Sequence, residues 1–239
     1  CGKTSLLNCI SGIIPQRLKA EFKGDIILND LDLNPIPINE RFRYLAYQMS
    51  DPDNQIFFPR VEKELSFALE NAGLTIKEMK ERIIRATEDF GLQDFWETEP
   101  GKLSLGQKKL LVLAFCSAQD TPLYLLDEPT SALTERETEL LFEIMRRLQE
   151  RGISIIYISH RLDEIFRICN RATVLRDGKY VTTLDVANTN KAELVKYMVG
   201  RDVAYNYGAH TTDIGDVIFE AQDISYGEIV KDVSFNLHA

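Results

Sequence analysis

Two short runs, Leu123-Tyr124-Leu125-Leu126 and Ile153-Ser154-Ile155-Ile156-Tyr157-Ile158, are apolar on both faces. A strand needs two apolar faces only when helices cover both sides of its sheet. Between the two runs, Thr134 and Glu137 have the spacing of a capping box, in which each side chain satisfies a free amide of the first helical turn. The helix they open places Leu140, Leu141, Ile144, Met145 and Leu148 inward and stops at Gly152. Strand, helix and strand in this order predict a parallel α/β sheet.

The rest of the chain fits around that unit. Ser5 to Ile10 reads as a helix, and Asp25–Leu28 and Tyr44–Tyr47 as short strands. Thr75 and Glu78 form another capping box, with Ile76, Met79, Ile83 and Phe90 on one helical face and Gly91 at its end. A helical segment over about 60–105 is expected. Asp177-Gly178, between Ala172–Arg176 and Lys179–Leu184, signals a hairpin. Residues 201–215 lose periodicity and read as a linker. Val217–Ile224 and Val230–Leu237 then look like another strand pair, with Ile218, Ile224, Val233 and Phe235 as buried candidates.

Charge and cysteine content narrow the function classes. In 239 residues, 28 Lys and Arg stand against 37 Asp and Glu, a net −9, which argues against a nucleic-acid binder. Cys1, Cys9, Cys116 and Cys169 lack CxxC spacing, so a zinc site is not expected; their scatter fits a reducing compartment. The longest apolar run, Leu110 to Ala118, is about half the roughly 18–20 residues that span a bilayer.

Three segments carry chemistry. Gly2-Lys3-Thr4-Ser5 is the back half of a phosphate-binding loop, where converging amides, a lysine and a hydroxyl serve phosphates and Mg²⁺; it is equally a plain surface turn. Asp127-Glu128 closes an apolar strand, where a carboxylate can hold the Mg²⁺ of a nucleotide or simply enter solvent. Leu103-Ser104-Leu105-Gly106-Gln107 precedes an apolar helix, Lys108 to Gln119, and reads as an anion-binding helix end or an ordinary N-cap.

In this order the segments resemble the ABC ATPase family, over nearly all of Cys1 to Gly200. Gly2-Lys3-Thr4 is similar to the end of Walker A, Gln48 to the Q-loop glutamine and 103–107 to the signature. Asp127-Glu128 is similar to the end of Walker B, Ser131-Ala132-Leu133-Thr134 to the D-loop, and His160 to the switch histidine. The resemblance implies a P-loop NTPase-type, mainly parallel sheet flanked by helices, with a helical subdomain and small antiparallel β elements. It implies ATP and Mg²⁺ as cofactors: Gly2, Lys3, Thr4 and Ser5 at the phosphates, and Thr4, Gln48 and Asp127 at the metal or its waters. Glu128 would polarise the attacking water and His160 would sense the γ-phosphate, while Ser104, Gly106 and Gln107 would serve a second nucleotide. Two departures stand out: the leading Walker A glycines are missing, and Leu105 occupies a common glycine position. The opening strands of such a domain are likewise not in this sequence, and the chain reads as a piece of a longer polypeptide.

Two subfamilies are resembled. The text from Asp127 through Ser159-His160-Arg161-Leu162-Asp163-Glu164-Ile165 to Met198-Val199-Gly200-Arg201 is similar to tandem ATPases of monosaccharide importers. Residues 1–200 would then be the first ATPase domain and 216–239 the start of a second, with Tyr226 a candidate adenine-stacking aromatic. Asp51-Pro52-Asp53-Asn54-Gln55-Ile56-Phe57 looks instead like energy-coupling-factor ATPases for vitamin or metal-ion uptake. A non-transport tandem protein acting on ribosomes or DNA is a third reading, disfavoured by the sparsely charged 201–215. The sugar-importer resemblance, being longer, implies these partners: integral-membrane permease subunits docked near Gln48 to Ala72, a second ABC ATPase domain in the same chain or a dimer partner, and indirectly a solute-binding protein. Nucleic acid is not among them. The protein would sit peripherally on the cytoplasmic face of the membrane.

Overall fold

A computed structural model describes residues 2–70, 73–200, 215–227 and 230–238. The chain divides into two compact units, Cys1–Arg201 and Asp202–Ala239. The first unit opens with α1 (Lys3–Ser11) and the short turn α2 (Ile13–Gln16). The antiparallel pair β1 (Ile27–Leu28) and β2 (Leu31–Asp32) follows, then α3 (Ile38–Arg41) and β3 (Leu45–Gln48). Next come α4 (Val61–Glu70), α5 (Ile76–Asp89), α6 (Leu105–Gln119), β4 (Leu123–Asp127), α7 (Glu135–Glu150) and β5 (Ser154–Ile158). Helix α8 (Leu162–Ile168), the hairpin β6 (Arg171–Arg176) and β7 (Lys179–Asp185), and α9 (Lys191–Val199) complete it.

β3, β4 and β5 form a parallel sheet in that order. β4 is buried along its whole length, and its alternating side chains enter two cores. Tyr124 and Leu126 join a cluster with Leu65, Leu111, Leu141 and Phe142 from α4, α6 and α7. Leu123 and Leu125 meet Leu7 of α1, Leu33 and Leu45 on the other side. The two-faced apolar pattern of this strand therefore has the cause its sequence implies. β5 differs. Among the described residues it pairs on one side only, and Ile156 is 37% exposed, because an edge strand lacks the neighbour whose helices would cover it.

Both expected capping boxes form, at Thr75/Glu78 and Thr134/Glu137. A third, Ser104 with Gln107, starts α6 three residues before the expected Lys108. On α5, Ile83 and Phe90 are buried and Met79 packs against the same core. Ile76 is instead 74% exposed, since its place in the first turn projects it past the surface that α5 packs on. Asp177 and Gly178 turn β6 into β7 with φ of 51° and 74°, the two left-handed positions of a two-residue hairpin turn.

The second unit holds one antiparallel pair, β8 (Val217–Tyr226) and β9 (Val230–His238). Ala221 is buried, but Ile218, Ile224, Val233 and Phe235 are exposed rather than buried, since among the described residues of this unit the two strands have no second layer over them. Residues 201–214 of the expected linker and the Tyr226 side chain lie outside the described residues.

Candidate functional site

Parallel strands deliver their C-terminal ends to one edge. Gln48 is in register with Leu126, and Asp127 with Ile158, so Gln48, Asp127-Glu128 and Ser159-His160 arrive together by sheet geometry alone. That edge is where open α/β sheets bind ligands.

The start of α1 reaches the same place. Gly2 adopts φ 84° ahead of Lys3, a left-handed conformation suited to glycine. No acidic residue occupies the first turn of α1 and no side chain caps it among the described residues, which leaves its first amides for an anion. The Thr4 hydroxyl donates to Asp127 Oδ2 at 2.8 Å. Asp127 is buried, and burial drives its carboxyl above the usual range. The Thr4 hydrogen bond pulls it back, the charge of Glu128 pushes the same way as burial, and Lys109 and Lys3 oppose both. A desolvated carboxylate beside a hydroxyl suits a small hard cation.

Gln48 is fully buried and its Oε1 has no hydrogen-bond partner among the described residues, while its Nε2 donates to the Met49 carbonyl. Such an orphaned acceptor is costly unless a ligand or its water completes it. Among the described residues no three His, Cys, Asp or Glu side chains cluster as a metal cage. Mg²⁺ needs none, since phosphates and water supply most of its shell. Thr4, Asp127 and Gln48 therefore fit Mg²⁺ delivered with a phosphate ligand.

Glu128 follows in a left-handed conformation, φ 50°, uncommon for a residue with a side chain and typical of functional turns. Its Oε2 receives the His160 ring Nδ1 at 2.7 Å. A carboxylate oxygen accepts in such a bond, which places its proton on Nδ1 and leaves Nε2 outside it.

Two groups to which the sequence reading gave no role at the site hold this arrangement. The buried Glu164 Oε2 accepts from Thr130 at 2.9 Å, Tyr157 at 2.7 Å and Ser159 at 2.6 Å, which ties the loop after β4 to the loop after β5. Lys109, buried in α6, donates to the Glu128 carbonyl. A lysine three residues before Val112 and four before Leu113 was a legible sign of a buried charge.

The remaining predicted residues lie at the start of α6. Ser104 and Gln107 cap their own helix, the Gln107 amide donating to Ser104 Oγ at 3.1 Å. Gly106 is buried, where a Cβ would stand 2.9 Å from the Ala132 carbonyl oxygen. Its need for glycine is thus explained within the chain.

The profile of the ABC transporter family matches residues 1–131. The chain belongs to the ABC transporter family. Over 246 residues it is 34% identical to a ribose import ATP-binding protein, RbsA, of Lactococcus lactis, covering 100% of this chain and 48% of that protein. A protein described as a possible ribose/galactose/methyl galactoside importer ATP-binding protein, of Agrobacterium fabrum, is 32% identical over 244 residues, with 100% and 46% covered. The chain spans about half the length of the curated relatives it matches. Among solved structures, cbiO1 from Clostridium perfringens superposes with a TM-score of 0.67 at 24% identity, covering 83% of this chain and 76% of that one. An ATP-binding subunit of an ABC transporter gives 0.68 at 23% identity, with 85% and 79% covered. This ABC chain therefore has the ABC ATPase fold: a parallel sheet flanked by helices, with small antiparallel sheets beside it.

Proposed function

We propose that residues 1–200 form an ATPase domain that binds Mg²⁺-ATP at the edge described above and energises import of a monosaccharide. The observation that carries the reading is the Thr4–Asp127 hydrogen bond, which joins the open start of α1 to the strand end bearing Glu128. Gly2–Ser5 would offer amides and the Lys3 ammonium to the β/γ-phosphates, and Thr4, Asp127 and Gln48 would hold Mg²⁺ or its waters. Bound there, the cation neutralises phosphate charge, the main need of phosphoryl transfer. Glu128 would accept a proton from the attacking water, and His160, already on Glu128, would turn its free ring nitrogen to the γ-phosphate.

Ser104, Gly106 and Gln107 would face a second nucleotide held by another ABC ATPase domain. Residues 216–239 are proposed as the opening of that domain in the same chain, a dimer partner being the alternative. Integral-membrane permease subunits, supplied by a solute-binding protein, would complete the importer at the cytoplasmic face. Sugar is preferred over vitamins or metal ions because relatives across the whole chain carry ribose or galactoside names. Two measurements on the full-length protein test this. Lys3→Ala should weaken Mg²⁺-dependent ATP binding by at least tenfold, and deletion of the gene should abolish uptake of labelled ribose or a related monosaccharide. Unchanged binding would refute the phosphate site, and unchanged sugar uptake the importer assignment.

A further inference from the structure

Lys109 is 1% exposed, lies in the second turn of α6 and, among the described residues, bonds to the turn after β4 rather than to Gly2–Ser5. It donates to the Glu128 carbonyl oxygen at 2.6 Å and to the Ser131 hydroxyl at 2.5 Å. Glu128 is also the residue held at φ 50°, a conformation that costs of order 1–3 kcal/mol outside glycine and persists only where its surroundings enforce it. Three bonds do so here. The Glu128 amide donates to the Ile158 carbonyl at 2.9 Å, its carbonyl receives the Ser131 amide at 3.2 Å, and Lys109 supplies the third and shortest. The first ties Glu128 to β5 and the second closes the turn, while the lysine ties the same turn to α6.

We propose that Lys109 is a positioning residue for hydrolysis, clamping the Glu128–Ser131 turn to α6 so that the Glu128 carboxylate is aimed at the attacking water. This deepens the functional reading above and rests on its assignment of Glu128. The charge is suited to the task. Burial holds the lysine's pKa below its ordinary value, and the nearby Glu128, Asp127 and Asp51 carboxylates oppose that shift, so the acidic site favours the charged donor that supports it. Because α6 also begins with Ser104–Gln107 and packs Gly106 on the Ala132 carbonyl, one helix carries the segment assigned to the second nucleotide and the clamp on the first one's carboxylate. A displacement of about 1 Å in a catalytic group can cost on the order of 100-fold in rate.

The test uses the full-length protein, with ATP turnover, fluorescent-nucleotide affinity and thermal midpoint measured on Lys109→Met, which keeps the length but not the donors, and Lys109→Gln, which keeps a donor. The expected result is a kcat at least tenfold lower in Lys109→Met, with ATP affinity within twofold of wild type and the fold retained, and partial recovery of kcat in Lys109→Gln. Wild-type kcat in Lys109→Met overturns the proposal. So does loss of kcat, ATP affinity and thermal midpoint together in both variants, which would make the lysine merely structural. Glu128→Gln in the same assay separates the two levels. If it turns over normally, the assignment of Glu128 fails; if it is inactive while Lys109→Met is normal, only the clamp fails.

Discussion

A Cβ at position 106 would stand 2.9 Å from the Ala132 carbonyl oxygen, and a backbone atom yields less readily than the end of a flexible side chain. Gly106→Ala is therefore expected to destabilise by ~1–3 kcal/mol, the usual range for overpacking, and to lower the melting temperature by about 2–4 °C per kcal/mol; calorimetry checks it, and an unchanged midpoint would mean α6 shifts freely. The residues at the strand ends were legible for a simple reason. Gln48, Asp127, Glu128 and His160 each lie at or just past the end of an apolar run, and parallel pairing converts that sequence position into a shared edge. Lys109, Glu164 and Arg41 were not singled out, because no spacing rule pairs a lone charged residue with hydroxyls or carbonyls in a folded loop. Arg41 shows why: it is buried and donates to the Leu33, Ile36 and Ile10 carbonyls, acceptors that every residue type carries and no sequence pattern marks.

At the scale of elements, the capping boxes were the surest reading, since their geometry is fixed within four residues. Thr75 Oγ1 and the Thr75 amide both donate to Glu78 Oε2 at 2.8 Å. The Thr75 amide and hydroxyl hold the Glu78 carboxyl below its ordinary 4.5. A lowered folded-state pKa gives stability that is complete above that ordinary value and lost as pH falls through the folded one. The melting temperature should thus decline more steeply below pH 4.5 in wild type than in Glu78→Gln, the difference between their acid titrations isolating this box; parallel curves would show that the carboxylate contributes nothing. Thr75→Ala should cost about 1 kcal/mol at neutral pH. Exposure within elements was harder to read. Ile156 and Ile76 are apolar by sequence yet exposed, because edge position and helix-end position are set by neighbours that periodicity does not name. The segment after β3 shows the same limit. Phe58 packs on Phe67 with ring centroids 4.8 Å apart, and the buried Glu64 carboxylate accepts from the Phe57 and Phe58 amides at 2.9 and 2.8 Å. Phe57 is left 74% exposed, although it is the same residue type as its neighbour Phe58.

For the whole molecule, that exposed ring is the most direct handle on assembly. Phe57→Glu should leave ATP affinity and melting temperature near wild type, because the side chain is in water, but should release the protein from membranes bearing the proposed permease subunits; retained sedimentation with membranes would place docking elsewhere. The second unit carries further exposed apolar residues, Ile218, Phe219 and Phe235 among them; their covering layer is proposed to come from the second ATPase domain. In the proposed function Glu128, held in its left-handed turn beside His160, activates water for ATP hydrolysis. The measurement that tests it most directly is steady-state ATP turnover by the full-length protein carrying Glu128→Gln, with the second nucleotide site inactivated and Mg²⁺-ATP binding followed in parallel. Turnover should fall by about 10²–10⁴-fold, the usual worth of a general base, while nucleotide is still bound. Turnover at the wild-type rate would contradict it.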